Sequence, residues 1–425
     1  MKTIPYGESQ IALGILPLER FEIVKGAAFI SKRPEVEVFQ EALEHPVSGL
    51  PLVERLRTGM KVAIIIPDRT RVCGSERFLP WLLETILKAG LTAHDVTIMF
   101  ALGTHESQPH DEQQRLVSDS VWGKWRVVEP NCRDEKSLVK VGVTPAGTEV
   151  FLNHHVVNAD LVILGGAVTH HYFAGMGGGP KLILPGVAGE ATIFTNHRRA
   201  ISPDGTFHPD CQDGKTKGNP LAEDILAAAK LAQPIFHVGL ILDDDGRIGK
   251  AFGGDLELSH QMTCDEVKKL HEIPVGDKRP VIVVSPGGHP RDINFIQSHK
   301  ALQHASYALT NPGVMILVAK CPEGMGSDTF LSWMKYPTIK DLTNELTKRY
   351  TLHGHTALSH RIKLERIREI CVSDMAPELV TELGMIPANS LSQAWSLAQE
   401  FLPSKWNGYI IPNGFIDIPF YREVQ

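Results

Sequence analysis

The 425-residue sequence lacks the features that mark membrane, secreted and nucleic-acid-binding proteins. It contains no apolar run of the roughly 18 residues that a membrane-spanning helix needs. Its first 15 residues lack the apolar core of a secretory signal peptide. The net charge of −6 is mild, and the sequence has no long basic run. We therefore expect a cytoplasmic protein with neither membranes nor nucleic acids among its partners.

Cysteine is sparse and scattered, with six residues that form no CxxC pair. This spacing argues against a disulfide scaffold and against a zinc or iron–sulfur framework. With 43% hydrophobic and 22% charged residues, the composition is that of a globular chain. The length is sufficient for two or three domains.

Apolar strands alternate with amphipathic helices along most of the chain. Strands are predicted at 61–68, 95–105, 159–171, 279–288, 313–324, 368–375 and 409–414, with a hairpin at 235–255. Helices are predicted at 78–90, 109–119, 219–232, 293–309, 328–335, 339–349 and 391–401. This rhythm is typical of parallel, doubly wound sheets. It predicts an α/β fold of two α/β domains with mainly parallel sheets and the active site in the cleft between them.

A polar, helical stretch at about 256–279 interrupts this rhythm. We predict an N-terminal cofactor-binding and catalytic domain at 1–265 and a connector at 266–279. A C-terminal α/β domain at 280–425 would close over the substrate, and its last residues could pack back on the N-terminal domain.

Polar residues follow the first two predicted strands. Asp68, Thr70 and Arg71 come after the first strand, and an arginine can hold a carboxylate or phosphate in a fork. His105 follows the second strand, and an imidazole with an ordinary pKa near 6.5 suits proton transfer. Taken alone, each motif also fits a structural role, as an ion pair or a packed histidine.

The segment 170–197, HHYFAGMGGGPKLILPGVAGEATIFTNH, carries the strongest signal. It places His171, Lys181 and His197 around a glycine-rich run in which Gly175 and Gly178 could bring backbone N–H groups to a phosphate. The run matches neither GxxxxGK[ST] nor GxGxxG, so it does not indicate a nucleoside triphosphate or a dinucleotide. Histidine with lysine suits a metal-centred cofactor, because the imidazole can coordinate and the amine can attach covalently. A structural histidine cluster is the alternative.

A fourth polar group lies in the second half of the chain, in GGHPRDINFIQSHKAL at 287–302. Gln297 and Lys300 are three residues apart, so we expect them to share a helix face. A lysine and an amide at a helix start can hold a carboxylate, although a solvated helix face explains them as well. All four groups follow predicted strands, which is where α/β proteins place their sites.

Together these residues resemble the nickel-dependent lactate racemase family, whose members carry a nickel-pincer nucleotide. The resemblance extends over most of the chain. It is sharpest in DRTR (68–71), GTH (103–105), HYFAGMGGGPKLILPGVAG…NH (171–197) and QSHK (297–300). It implies an isomerase, a racemase or epimerase that acts on a 2-hydroxy acid.

The family's cofactor is nickel pyridinium-3,5-bisthiocarboxylic acid mononucleotide, which dedicated synthesis enzymes must supply. The resemblance implies that Lys181 tethers this group covalently and that His197 ligates nickel. His105 and His171 would be the two acid–base catalysts. Contacts to cofactor or substrate are implied for Asp68, Thr70 and Arg71, and contacts to substrate from the second domain for Gln297 and Lys300.

The implied reaction moves the C2 hydrogen as a hydride, since the carbon-bound proton is very weakly acidic. One histidine removes the hydroxyl proton as the hydride leaves, which gives a planar 2-oxo acid. The oxo acid turns over, the hydride returns to its other face, and the second histidine supplies the proton. Two other functions stay open. One is a nicotinamide-dependent 2-hydroxy acid dehydrogenase, and the other is a family member that binds the cofactor without racemising a substrate.

Several positions depart from the usual family pattern. Pro180 precedes the lysine where an arginine is usual, and Ile296 stands where the lactate enzyme has tyrosine. We also expect nearby cationic potential from His170, His289, Arg291 and His299. These changes favour a larger or more anionic 2-hydroxy acid than lactate, such as malate or a sugar acid.

Overall fold

The computed structural model describes residues 2–71, 73–232, 234–349 and 353–421. The chain divides into two compact units. Unit A comprises Ala28–Ala200 and His208–Lys268, and unit B comprises Met1–Ala27, Ile201–Phe207 and Lys269–Gln425. Each unit contains one six-stranded sheet, and parallel pairs predominate in both, which confirms the predicted α/β fold. The predicted domain limits at 1–265, 266–279 and 280–425 stay a prediction.

The strands and helices follow the predicted alternation in both halves of the chain. The strands are β1 (Thr3–Tyr6), β2 (Ser9–Ala12), β3 (Phe21–Ile23), β4 (Val62–Pro67), β5 (Val96–Ala101), β6 (Arg126–Val128), β7 (Leu138–Val143), β8 (Glu149–Asn153), β9 (Leu161–Ala167), β10 (His170–His171), β11 (Gly175–Met176), β12 (Ile235–Leu242), β13 (Ile248–Gly254), β14 (Glu272–Val275), β15 (Arg279–Val284), β16 (Leu309–Val318), β17 (Ile367–Val372), β18 (Ile386–Ala388), β19 (Gly408–Ile411) and β20 (Ile418–Tyr421). The helices are α1 (Glu35–Glu44), α2 (Leu52–Arg55), α3 (Ser75–Lys88), α4 (His110–Val117), α5 (His154–Val157), α6 (Glu190–His197), α7 (Pro220–Lys230), α8 (Leu256–His271), α9 (Phe295–Ala305), α10 (Asp328–Met334), α11 (Ile339–Lys348), α12 (Gly354–Leu364), α13 (Pro377–Glu382) and α14 (Leu391–Gln399).

The sheet of unit A has the order β13-β12-β9-β4-β5-β6. All its pairs are parallel except β12 with β13, which form the predicted hairpin. The chain enters at β4, winds out through β5 to β6, and then crosses back to β9 and β12. The strand order therefore reverses between β4 and β9. In doubly wound sheets the ligand crevice lies at this reversal, past the carboxyl ends of the strands.

Close packing of helix α3 against this sheet depends on a glycine in β9. The ring of Phe78 in α3 lies 3.0 Å from the position that a Cβ of Gly165 would occupy. Phe78 is fully buried in the core of unit A, together with Ile64 of β4 and Phe100 of β5. Strands β4 and β9 are buried along almost their whole length, which is why they read as continuous apolar runs.

The sheet of unit B has the order β18-β17-β16-β15-β19-β3, and all its pairs are parallel. From β15 the chain winds out through β16 and β17 to β18 and then returns to β19. The reversal therefore lies between β15 and β19. Strand β3, from the beginning of the chain, pairs with β19 at the edge of this sheet.

All six cysteines are buried thiols that form no disulfide. In the described ranges, every helix falls short of the length and apolarity that crossing a bilayer requires.

Candidate active site

Asp68 and His105 form a hydrogen-bonded pair at the carboxyl edge of the sheet in unit A. The parallel register that aligns Pro67 of β4 with Ala101 of β5 brings the two following loops together. His105 Nδ1 donates to Asp68 Oδ2, and Asp68 Oδ1 accepts from the backbone N and the Oγ1 of Thr70 at 2.9 and 2.6 Å. Because Nδ1 carries the proton, Nε2 of a neutral His105 is the basic nitrogen.

The environment keeps the Asp68 carboxyl ionised. Asp68 is only 3% exposed, and burial by itself would raise its pKa. The hydrogen bonds from His105 and Thr70 and the charges of His105 and Arg71 outweigh burial and hold the pKa below the ordinary 3.8. A carboxylate at this position orients the imidazole and stabilises its protonated form.

A short hairpin after β9 carries the second predicted acid–base residue. Strands β10 and β11 pair with His171 opposite Gly175. The backbone N–H of Ala174 donates to His171 Nδ1 at 3.3 Å, which places the proton of a neutral imidazole on Nε2. His171 and His105 are thus set up as opposite tautomers, because one accepts and the other donates through Nδ1.

Phe173, at the tip of this hairpin, contacts three of the predicted site residues. Its ring centroid lies 4.6 Å from that of His171, 5.6 Å from that of His197, and 5.6 Å from Lys181 Nζ. No role was predicted for Phe173 from the sequence, although it lies within the segment 170–197 that carried the strongest signal. The structure therefore brings the two histidines and the lysine together around one aromatic ring.

Lys181 lies in a short 3-10 turn, Gly179–Leu182, whose side chains are mostly buried. Burial lowers the pKa of the Lys181 amine well below the ordinary 10.5, and the nearby charge of Arg71 lowers it further. No carboxylate of the described residues offsets these two effects. A lysine with a lowered pKa has a larger fraction of the neutral, nucleophilic amine.

The glycines before Lys181 have backbone conformations and packing that exclude side chains. Gly175 has a φ of +75°, and a Cβ there would lie 2.2 Å from the carbonyl oxygen of Lys215. Gly178 has a φ of +73°, and a Cβ would lie 2.7 Å from the carbonyl oxygen of Ala167. Close approach of the protein's own backbone explains both glycines. Their predicted contacts with a cofactor stay a prediction.

His197 ends helix α6 and is only 5% exposed. Its Nδ1 donates to the carbonyl oxygen of Ile193 at 2.9 Å, so Nε2 carries the lone pair. This arrangement is typical of a histidine that ligates a metal, because the second hydrogen bond fixes the tautomer and the ring orientation.

A buried polar network that the sequence did not reveal anchors the end of α6. Asp224 of α7 accepts from Asn196 Nδ2 at 2.9 Å and from Arg199 Nε at 3.1 Å, on either side of His197 in the chain. Thr144 and Thr148 donate to the same carboxylate at 2.5 and 2.8 Å. These contacts join residues up to 80 positions apart in the sequence, so no local sequence pattern predicts them.

In unit B, Gln297 and Lys300 lie on the predicted helix, which begins at Phe295 with Asn294 as its cap. Lys300 Nζ donates to Gln297 Oε1 at 2.8 Å, which confirms that the two side chains share a face. Lys300 Nζ also lies 4.5 Å from the ring centroid of Phe415.

His299, which lies between Gln297 and Lys300 in the sequence, is only 1% exposed, and Lys363 Nζ lies 3.2 Å from its Nε2. Burial and the charge of Lys363 lower the pKa of His299 well below 6.5, which favours the neutral imidazole. The expectation that His299 adds positive charge near the site is therefore wrong.

Comparison with protein families gives two matches that together span most of the chain. The model of the lactate racemase N-terminal domain matches residues 6–207, and that of the lactate racemase C-terminal domain matches residues 276–418. A lactate racemase from Thermoanaerobacterium thermosaccharolyticum is 30% identical over 424 residues, which cover 97% of both chains. The chain belongs to the lactate racemase family. It is thus a member of a family of isomerases.

A second sequence relative and two solved structures agree with this assignment or share the fold. The lactate racemase from Lactiplantibacillus plantarum is 28% identical over 411 residues, which cover 92% of both chains. The lactate racemase apoprotein structure from T. thermosaccharolyticum superposes with a TM-score of 0.88 at 29% identity and covers 99% of both chains. A protein from Thermotoga maritima, at 14% identity and a TM-score of 0.62, shares the fold.

Proposed function

We propose that this lactate racemase family member inverts C2 of a 2-hydroxy acid with a nickel-pincer nucleotide as its cofactor. The observation that supports this most is the grouping of His171, Lys181 and His197 around Phe173. We propose a substrate that is larger or more anionic than lactate, such as malate or a sugar acid, because Ile296 and Pro180 replace the family's tyrosine and arginine.

The residues present fit this cofactor. His197 offers one Nε2 lone pair, and no group of three or more His, Cys, Asp or Glu residues within the described ranges could hold a metal by itself. A metal at His197 would therefore need further donors from a bound organic group, and the two sulfur-bearing arms of the pincer nucleotide provide such donors. The half-buried Lys181, whose amine has a lowered pKa, suits the covalent tether. When bound, the cofactor supplies a reversible acceptor for the C2 hydrogen and its two electrons.

The side chains of unit A would then handle the protons. His105 Nε2 takes the hydroxyl proton of one enantiomer, and Asp68 stabilises the resulting imidazolium through Nδ1. We assign the other enantiomer to His171, whose proton-accepting nitrogen in the tautomer set by Ala174 is Nδ1, so that it takes the proton as Nδ1 releases the hydrogen bond from the Ala174 N–H. Two bases allow the reaction to run in both directions, and each contributes typically about 10²- to 10⁴-fold to the rate. The proposed substrate-binding residues are Arg71 in unit A and Gln297 and Lys300 in unit B, and an arginine or a lysine suits the substrate carboxylate.

The order of the strands in unit A is the observation that favours a second candidate function, a nicotinamide-dependent dehydrogenase. The order β6-β5-β4-β9-β12-β13 is also that of dinucleotide-binding sheets, as a dehydrogenase would need. However, the loop after β4 contains Asp68, Arg69, Thr70 and Arg71 in place of a glycine-rich phosphate turn. A dehydrogenase would produce NADH absorbance from hydroxy acid and NAD, whereas a racemase would produce none.

The test uses the full chain matured with the cofactor-synthesis enzymes, beside the Lys181→Arg variant and the control Lys140→Arg on an exposed hairpin. We expect a mass increase on the peptide containing Lys181 and bound nickel in the wild type and the control, and no covalent adduct in Lys181→Arg. Racemisation, followed as loss of optical rotation of single-enantiomer 2-hydroxy acids, should fall by at least about 10³-fold in that variant.

Two results would refute the proposal. One is an unmodified Lys181 together with the absence of nickel in fully matured protein. The other is unchanged optical rotation with lactate, malate and sugar acids alike, which would favour a cofactor-binding protein without racemase activity if the adduct were present.

A further inference from the structure

Arg291 lies at the strand reversal of unit B, in a position that the proposed function does not use. It belongs to the loop after β15, and its Nη1 donates to Asn413 Oδ1 in the loop after β19 at 2.6 Å. Its guanidinium carbon lies 5.9 Å from the ring centroid of Phe415. The carboxyl edge at a strand reversal is where doubly wound sheets bind ligands. Arg291 thus occupies the ligand-binding edge of its own sheet.

The loop after β19 is fixed from several directions. Gly414 N donates to Ser285 O at 2.7 Å, and His304 Nδ1 donates to Gly414 O at 2.8 Å. Gly287 has a φ of +114°, and a Cβ there would lie 2.4 Å from Asn413 Oδ1 and 3.1 Å from Arg291 Nη1. The absence of a side chain at Gly287 therefore leaves the space that the contact between Arg291 and Asn413 occupies.

Lys300 lies near the same aromatic ring. Its Nζ is 4.5 Å from the centroid of Phe415, so both cationic groups lie within 6 Å of one ring. One ammonium group is sufficient to balance one substrate carboxylate. A guanidinium beside it adds a planar fork of N–H donors that matches a second carboxylate. Two cationic groups on one aromatic ring therefore suit a small ligand that carries two carboxylates.

We propose that Arg291 binds a second carboxylate and thereby makes this enzyme selective for dicarboxylic 2-hydroxy acids. The inference rests on the proposed function, since it assigns the distal end of the same substrate. Lys300 holds the carboxylate next to the reacting carbon, and Arg291 holds the one at the far end. Asn413 is a positioning residue for Arg291, because it touches the guanidinium through its side-chain oxygen.

Arg279 provides a matched control at the opposite end of the same two strands. It begins β15, and its guanidinium carbon lies 4.0 Å from the ring centroid of Tyr409 in β19. It forms ion pairs with Asp277 and Glu22 at 3.0 and 2.5 Å. It thus reproduces the cation–aromatic contact at the amino edge, where doubly wound sheets do not bind ligands.

The test measures binding of three probes to the cofactor-free full chain by titration calorimetry. The probes are malate, its 4-amide, which has the same shape without the second charge, and lactate. We expect malate to bind more tightly than the other two. Arg291→Gln should weaken malate binding roughly 10- to 100-fold and leave the amide and lactate within about twofold. Arg291→Lys should restore part of the loss, and Arg279→Gln should leave the preference for malate unchanged.

The inference is overturned if Arg291→Gln weakens all three probes equally, or if the wild type binds malate no better than its amide. Racemisation by the cofactor-loaded enzyme separates this inference from the proposed function. Turnover of lactate or a sugar acid without a preference for malate removes the role of Arg291 and leaves the proposed function standing. Selective binding of malate with no turnover of any hydroxy acid supports the subsite and refutes the racemase.

Discussion

The sheets of unit A and unit B reverse their strand order in the same way but carry different side chains at their carboxyl edges. In unit A, the loops after β4, β5 and β9 present Asp68, His105 and His171. In unit B, the segments after β15 and β19 present Arg291, Lys300 and an aromatic ring. Imidazoles with a carboxylate suit proton transfer, whereas cations and amides suit the binding of anions.

This difference shows that a shared winding fixes where a site lies and leaves its chemistry to the loops. It also gives a way to divide the proposed reaction. Changes to the acid–base residues at the edge of unit A should act on the chemical step, and changes at the edge of unit B should act on substrate binding.

The largest effect should come from the acid–base residues of unit A. His105→Gln and His171→Gln should each lower kcat about 10²- to 10⁴-fold, because each removes one of the two bases, with nickel content unchanged. Each variant should still oxidise the one enantiomer whose base remains. Steady-state racemisation and single-turnover trapping of the oxo acid measure the two effects.

Lys300→Met in unit B provides the contrast, with a raised KM and a smaller change in kcat. Asp68→Asn combined with His105→Gln should be little worse than His105→Gln alone, since Asp68 acts through His105. A His105 variant that raised KM and kept kcat would contradict the division of roles.

A smaller effect should follow from adding one methyl group in the loop that carries Lys181. Gly178→Ala should lower the free energy of unfolding by about 1–3 kcal/mol, because its φ is positive and its Cβ would meet Ala167 O at 2.7 Å. The neighbouring Gly177→Ala is the matched control, since its Cβ would lie 3.5 Å from the nearest atom. Urea denaturation compares them, and equal losses would show that close backbone approach does not explain Gly178.

The smallest effect should be a dependence of stability on pH that has opposite signs in the two units. Burial raises the pKa of Glu369 above 4.5, although the charge of Lys363 opposes this, and His360 Nδ1 lies 3.4 Å from its carboxylate. Above pH 4.5 the unfolded chain loses this proton first, so the Glu369 contribution to stability falls as the pH rises. Asp68 has a lowered pKa, so its contribution is present above pH 3.8 and is lost as the pH falls.

Glu369→Gln should therefore gain about 1 kcal/mol or more on the wild type between pH 5 and pH 8, as measured by urea denaturation at both values. Asp68→Asn should show the reverse, with its deficit shrinking between pH 5 and pH 3. A constant difference between Glu369→Gln and the wild type across this range would mean that Glu369 ionises normally in the folded protein.

The fold was predictable from the sequence because both sheets are built from buried parallel strands, which appear as short apolar runs between amphipathic helices. The glycine-rich segment was equally visible, since Lys181 and His197 stand out against an apolar background. Helix α12 was missed because its core-facing side contains His355, His360 and Lys363, which a hydrophobic pattern does not reveal.

The contacts between the site residues were harder to predict from the sequence than the fold. The sequence suggested that Asp68 works with Arg71 on an anion, whereas the structure shows Asp68 bound to His105, 37 residues further along. Only the register of β4 with β5 makes that contact, and register is a property of the folded sheet. Asp224 and Phe173 were missed for the same reason, since their contacts join distant segments.

The parallel pairing of β3 with β19 has a consequence for the order in which the molecule is made. Residues 21–23 are synthesised before unit A, but their partner strand at 408–411 is synthesised after it. The chain between them, which includes all of unit A, can fold before β3 has its partner strand. Closing such a long loop is slow and favours delayed assembly of this edge of unit B, and an unpaired strand edge is prone to aggregation until it is closed.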